Sequence, residues 1–284
     1  MVHTKKTKRS PASILGSAIP NILLMIFSIT CIFPAVWLFY SALKTKSQFY
    51  QDSIGLPKEI TLDNFSYVFS RSNLIRWLGN SFLNSTLALF FILLFSFIIG
   101  YFLSRYRFKG RNLLYVYFLF GIIIPIHALM IPVYILFNKL GITNHWFTLI
   151  LPYTAFGLPL AVFLIESYVS SVPREMEEAA AIDGSSFSRT LFGIILPMCV
   201  PILITVGIIQ FFWCWNEFSF SLILINDPEL VTVPVGMTLF KGQFVTDYPK
   251  MIAITLLSLA PVMILYFCFS KQIINGMITG AVKG

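Results

Sequence analysis

The chain has 284 residues, of which 57% are hydrophobic and 11% charged, with a formal net charge of +8. Soluble domains carry about 25% charged residues, so this composition, with 29 phenylalanines and a mean hydropathy of +0.82, excludes a water-soluble globule and makes lipid the solvent. The basic residues cluster beside apolar runs, which marks membrane topology and predicts lipid, not nucleic acid, as the partner of that charge.

A helix needs about 20 apolar residues to cross the roughly 30 Å hydrocarbon layer. Uncharged runs of that size lie near Ile19–Leu43, Asn80–Ser104, Asn112–Asn138, Trp146–Ile165, Thr190–Asn216 and Met251–Ser270. They predict an all-α integral membrane protein with a six-helix transmembrane domain over 19–270, between tails at 1–18 and 271–284. The first run far exceeds the roughly 7–15-residue core of a signal peptide and no small-residue cleavage site follows it, so it is expected to stay as an anchor.

Six spans place both termini on one side. With the N-terminus inside, the inner segments hold Lys5, Lys6, Lys8, Arg9, Arg105, Arg107, Lys109, Arg111, Arg174, Arg189, Lys271 and Lys283, which are 12 of the 20 basic residues. Five of the remaining eight are spread through the loop from Lys44 to Gly79. The positive-inside rule therefore predicts cytoplasmic termini.

Pro34, Pro125, Pro132, Pro152, Pro159, Pro197, Pro201 and Pro261 fall within the runs. Each removes a backbone donor and can bend its helix. Bent helices around a pathway suit transport, although proline is common in membrane helices generally. The ionisable groups His127, Glu166 and Glu217 are too few for a proton or ion relay, so energy is expected from elsewhere. Cys31, Cys199, Cys214 and Cys268 show no metal-ligand spacing, and no cluster of acids, histidines or thiols suggests a catalytic or metal site.

The segment between the fourth and fifth runs reads Val172-Pro173-Arg174-Glu175-Met176-Glu177-Glu178-Ala179-Ala180-Ala181-Ile182-Asp183-Gly184-Ser185-Ser186. Pro173 suits the first turn of a helix, and three glutamates lie near its positive end. Gly184 can adopt the left-handed stop, and Ser185 or Ser186 can cap a second helix beginning near Phe187. The alanines offer a thin face for close approach, beside acids able to pair with a partner's arginine or lysine. From the residues alone, this is either a docking element or an ordinary interfacial helix pair.

Glu178-Ala179-Ala180, Gly184, Ile194, Leu196 and Pro197 stand at spacings that resemble the EAA loop of ABC importer permeases. Asp183-Gly184, Trp215-Asn216-Glu217-Phe218, Thr232-Val233-Pro234-Val235-Gly236 and the ending Gly280-Ala281-Val282-Lys283-Gly284 resemble the carbohydrate branch, particularly its smaller maltose-permease-type subunit. The resemblance runs from about Asn21 to Gly284 and implies the type I (MetI-like) importer fold in a prokaryotic cell membrane. It implies that the loop at 172–197 docks in a separate ATPase, with Glu178 as charged contact, Ala179 and Ala180 as the packing face, Asp183 as a further coupling residue and Gly184 as the hinge. Gly280, Lys283 and Gly284 would reach the same ATPase dimer, and 226–250 would engage an extracellular or periplasmic sugar-binding protein. A second homologous permease would complete the pathway.

No phosphate-cradling G-x-x-x-x-G-K-[ST] loop is present, so this chain is expected to bind no cofactor and to leave ATP and Mg to the partner. Tyr153, Trp213, Trp215 and Asn216 are candidate pathway residues, since sugar is held by aromatic faces and polar side chains. The competing reading is a secondary carrier or channel without ATP; an embedded enzyme or a sensor lacks the required residues or soluble domain.

Overall fold

The computed structural model describes the backbone of residues 11–243 and 247–281, and the side chains of 20–240 and 247–269. All regular structure among them is helical, because in lipid a helix satisfies its backbone groups internally. The chain divides into two compact units, one formed by residues up to Ser70 with Phe244–Leu256, the other by Arg71–Gln243 with Leu257 onward.

The first unit contains α1 (Pro11–Ala42), α2 (Lys46–Gln51) and most of α3 (Asp63–Arg71). Its candidate span, Pro20–Ala42, is exposed along most of its length and buried only at its end, at Ser41 and Ala42. The loop after it is built: Thr45 caps α2 by accepting from the Gln48 N–H, and Asn64 donates to the carbonyls of Ala42 and Lys44, both at 2.8 Å. Asp52 accepts from the N–H groups of Gly55 and Ile54, which hold its carboxyl below the ordinary aspartate value.

The second unit starts with α4 (Leu74–Arg105), followed by α5 (Arg111–Ile123), α6 (Met130–Lys139) and α7 (Ile150–Ser170). Then come α8 (Glu175–Ile182), α9 (Phe187–Thr190), α10 (Leu196–Asn216), α11 (Ser219–Leu224) and α12 (Val233–Gln243). The last helix, α13 (Tyr248–Ala281), begins in the first unit and ends in the second. Helices α4, α7 and α10 form the packed centre of the second unit. One face of α4 buries Ala88, Ile92, Ser96 and Gly100, a four-residue repeat that makes one helical ridge. Gly100 lets this ridge approach α7 so closely that a Cβ would lie 3.0 Å from Ile165 Cγ2. Small residues at such crossings are how membrane helices gain packing without a hydrophobic drive.

Among the described residues, five helices are long and apolar enough to span a membrane, and a bent pair makes six if counted as one span. The expected third span is therefore not one helix: α5 and the segment Ile126–Lys139 meet at 97°. Pro125, which lacks an N–H, lies at the break, and a 3₁₀ turn over Ile126–Leu129 restarts the chain. The other prolines differ in place. Pro152 is the third residue of α7, where a missing donor costs nothing, whereas Pro132 follows the 3₁₀ turn within Ile126–Lys139 and Pro197 follows a π-helical turn, Leu191–Ile195, inside the continuous helix Phe187–Asn216. Pro34, Pro159, Pro201 and Pro261 are truly interior.

Candidate coupling site

The short helix α8 ends in a Schellman arrangement. Gly184 takes φ +76°, its N–H donates to Ala181 O at 3.0 Å, and the Ser185 N–H donates to Ala180 O at 2.9 Å. That turn satisfies the last carbonyls and reverses the chain into α9. Two local expectations are corrected. Arg174 is the residue at the α8 N-terminal boundary, so Pro173 precedes the first turn. Ser186 occupies the boundary of α9 but its side chain makes no cap bond; Thr190 Oγ1 instead donates to Ser185 Oγ at 3.1 Å.

On α8 and its turn, Glu178, Ala179, Asp183 and Gly184 are exposed, and Ile182 is 86% exposed. Ala180 is buried at 5%. The expected two-alanine face is therefore split, because neighbouring residues on a helix point about 100° apart; Ala180 packs inward and Ala179 outward. Gly280 lies in α13 beyond the described side chains, and Lys283 and Gly284 lie outside the described residues.

The constellation that sequence patterning missed lies beneath this loop. Arg105 Nε stands 2.5 Å from Glu177 Oε1, with the two side chains only 6% and 20% exposed. Arg105 Nη2 donates to Val172 O at 2.8 Å, and Tyr101 Oη donates to Glu177 Oε2 at 2.8 Å. Tyr101 also packs against Phe187 of α9, with ring centroids 6.2 Å apart. Nearby, Arg111 Nε donates to Leu103 O at 2.6 Å and its guanidinium faces Glu166 at 3.4 Å. Glu166 is thus a paired acid. The only sequence signal was Tyr101 and Arg105 at a four-residue spacing, which puts both on one helix face.

The other end of α4 holds a second loop. Trp77 Nε1 donates to Pro228 O at 2.8 Å, and Asn80 Nδ2 donates to Glu229 O at 2.7 Å and Val231 O at 3.0 Å. Arg76 pairs with Glu229. Asn144 Oδ1 accepts from the N–H groups of Asn226 and Asp227 at 2.9 and 2.8 Å.

The four pathway candidates separate. Tyr153 is fully buried and meets Trp213 edge-on at 5.9 Å, while Trp215, 3% exposed, stacks on Phe211. Both side chains are buried in this conformation. Trp213 is half-buried and Asn216 exposed.

Residues 92–277 match the family model described as "Binding-protein-dependent transport system inner membrane component". The chain belongs to this family. An ABC transporter permease protein of Caldicellulosiruptor sp. is 37% identical over 93% of this chain and 96% of its own length. The sulfoquinovosyl glycerol transport system permease protein of Agrobacterium fabrum is 33% identical, covering 95% of both chains. Among solved structures, a bacterial ABC transporter involved in import of the acidic polysaccharide alginate superposes with a TM-score of 0.82 at 22% identity, covering 94% of this chain and 99% of that one; it shares the fold. This permease is a multi-span membrane component of a binding-protein-dependent transporter, and the all-α type I importer architecture is the one its helices adopt.

Proposed function

We propose that this permease is one of two homologous subunits lining a sugar pathway, driven by a separate ATPase dimer that binds ATP and Mg and fed by an extracellular or periplasmic sugar-binding protein. The observation that carries this reading is the exposed α8–α9 elbow, where Glu178, Ala179, Ile182 and Asp183 face outward beside the left-handed Gly184. An exposed acid flanked by apolar surface can dock in a basic cleft and move with it. The sugar class is supported by the relatives' named substrates, a sulfoquinovosyl glycerol and an alginate polysaccharide.

ATP would close the ATPase pair, the docked elbows would follow, and the helices would alternate access by rigid-body movement. The chain performs no covalent step. Of the pathway candidates, Trp213 offers an aromatic face and Asn216 a polar group, whereas Tyr153 and Trp215 shape the wall behind them. The 226–250 segment would meet the binding protein, and Gly280, Lys283 and Gly284 would add a second ATPase contact. Positive-inside placement of Arg105, Arg107, Lys109 and Arg111 supports cytoplasmic termini in a prokaryotic membrane.

Glu178→Lys tests the reading. The variant is expected to insert in the membrane at the normal level and to lose ATP-dependent sugar uptake by tenfold or more. Wild-type uptake by cells carrying it would refute the docking role.

A further inference from the structure

We infer that α4 is the rigid link between the two loops fastened at its ends, both within the second unit, and that Arg105 and Tyr101 are positioning residues that lock the coupling elbow to it. The inference rests on the docking role proposed for that elbow. Of the five long candidate spans, α1, α7, α10 and α13 each contain an interior proline, and α4 contains none. Its 32 residues make an uninterrupted rod of about 48 Å at about 1.5 Å per residue.

Both ends of the rod are fastened. At one end Trp77 and Asn80 hold the backbone of Pro228, Glu229 and Val231. At the other, a single guanidinium ties α4 to the elbow and to the chain leading into it: Arg105 on α4 pairs with Glu177 on α8 and donates to Val172, two residues past α7. Tyr101, one turn earlier on the same face, donates to the second Glu177 oxygen and packs at a tilt against Phe187 of α9. Both halves of the elbow therefore grip α4. The two adjacent glutamates divide the labour, Glu177 facing inward to the rod and Glu178 outward to the motor. Side chains one residue apart on a helix are suited to that division, since they face different directions. A push on the elbow reaches the far loop through a helix with no interior proline, a contiguous packed route of the kind that carries coupling.

The test uses the complete transporter in liposomes, with uptake and ATP hydrolysis measured together. Arg105→Gln is expected to keep the ATPase subunit bound and its basal hydrolysis unchanged, while sugar carried per ATP falls at least fivefold. Arg105→Lys should recover part of that ratio, and the exchange Arg105→Glu with Glu177→Arg should recover more than either single change. A role confined to stability would lower the amount of assembled complex and leave the ratio per complex at the wild-type value; that result overturns the inference. If Arg105→Gln does not assemble, Tyr101→Phe decides, because it removes one hydroxyl: a ratio reduced twofold or more supports the link and an unchanged ratio overturns it. Failure of the docking reading looks different, since the wild-type chain would then capture no ATPase at all.

Discussion

A methyl group added at Gly184 meets open space but must accept a backbone held at φ +76°, whereas one added at Gly236 collides with the Trp77 indole. Gly184→Ala is expected to cost about 1–2 kcal/mol from left-handed strain. Asn, which tolerates that region, should cost less, and Val more. Gly236→Ala should cost about 1–3 kcal/mol through overpacking, because the indole is fixed by its bond to Pro228. Thermal unfolding of the purified permease in detergent checks the order; equal midpoints for Asn and Val at position 184 would contradict it. The buried pair gives a second prediction. Arg105→Met strands the Glu177 carboxylate and should destabilise by about 3 kcal/mol, while adding Glu177→Leu should recover most of the loss. The glycine turn was legible in the sequence because its chemistry is local. The Arg105 clamp was not, because Tyr101 and Glu177 are 76 residues apart and each alone reads as an ordinary helix residue.

At the scale of helices, the apolar runs marked the spans because lipid demands length and low charge together. Their ends were less legible. Helix α4 begins at Leu74, not Asn80, since Arg76 ends an uncharged run without ending a helix. Helix α7 begins at Ile150, because Thr148 accepts from the His145 N–H and donates to Ile142 O, holding the preceding stretch as a turn. Pro125 announced a break but not its angle, which depends on what surrounds it. Gly121 sits so near Pro159 that a Cβ there would lie 2.6 Å from the proline ring, fixing α5 against α7. If α5 and α6 form one broken span, Lys109→Cys is shielded from a membrane-impermeant thiol reagent in intact cells and Asn138→Cys is labelled. Identical labelling of both would show a re-entrant loop and remove the six-span topology.

For the whole molecule, composition named the solvent, the elbow motif named the family, and the family model and the fold agree with both. The substrate pathway was least legible, since aromatic residues in spans serve packing as readily as binding: Trp215 and Tyr153 are buried, and Trp213 and Asn216 are not. In the proposed mechanism, force enters through α8 and its turn. Ile182, 86% exposed at the tip of that elbow, is the place to ask. With Ile182→Cys in cells expressing the whole transporter, a short bifunctional thiol crosslinker should join the permease to a nucleotide-hydrolysing subunit. Recovery of no such adduct, from membranes in which the transporter still carries its sugar, would contradict the account.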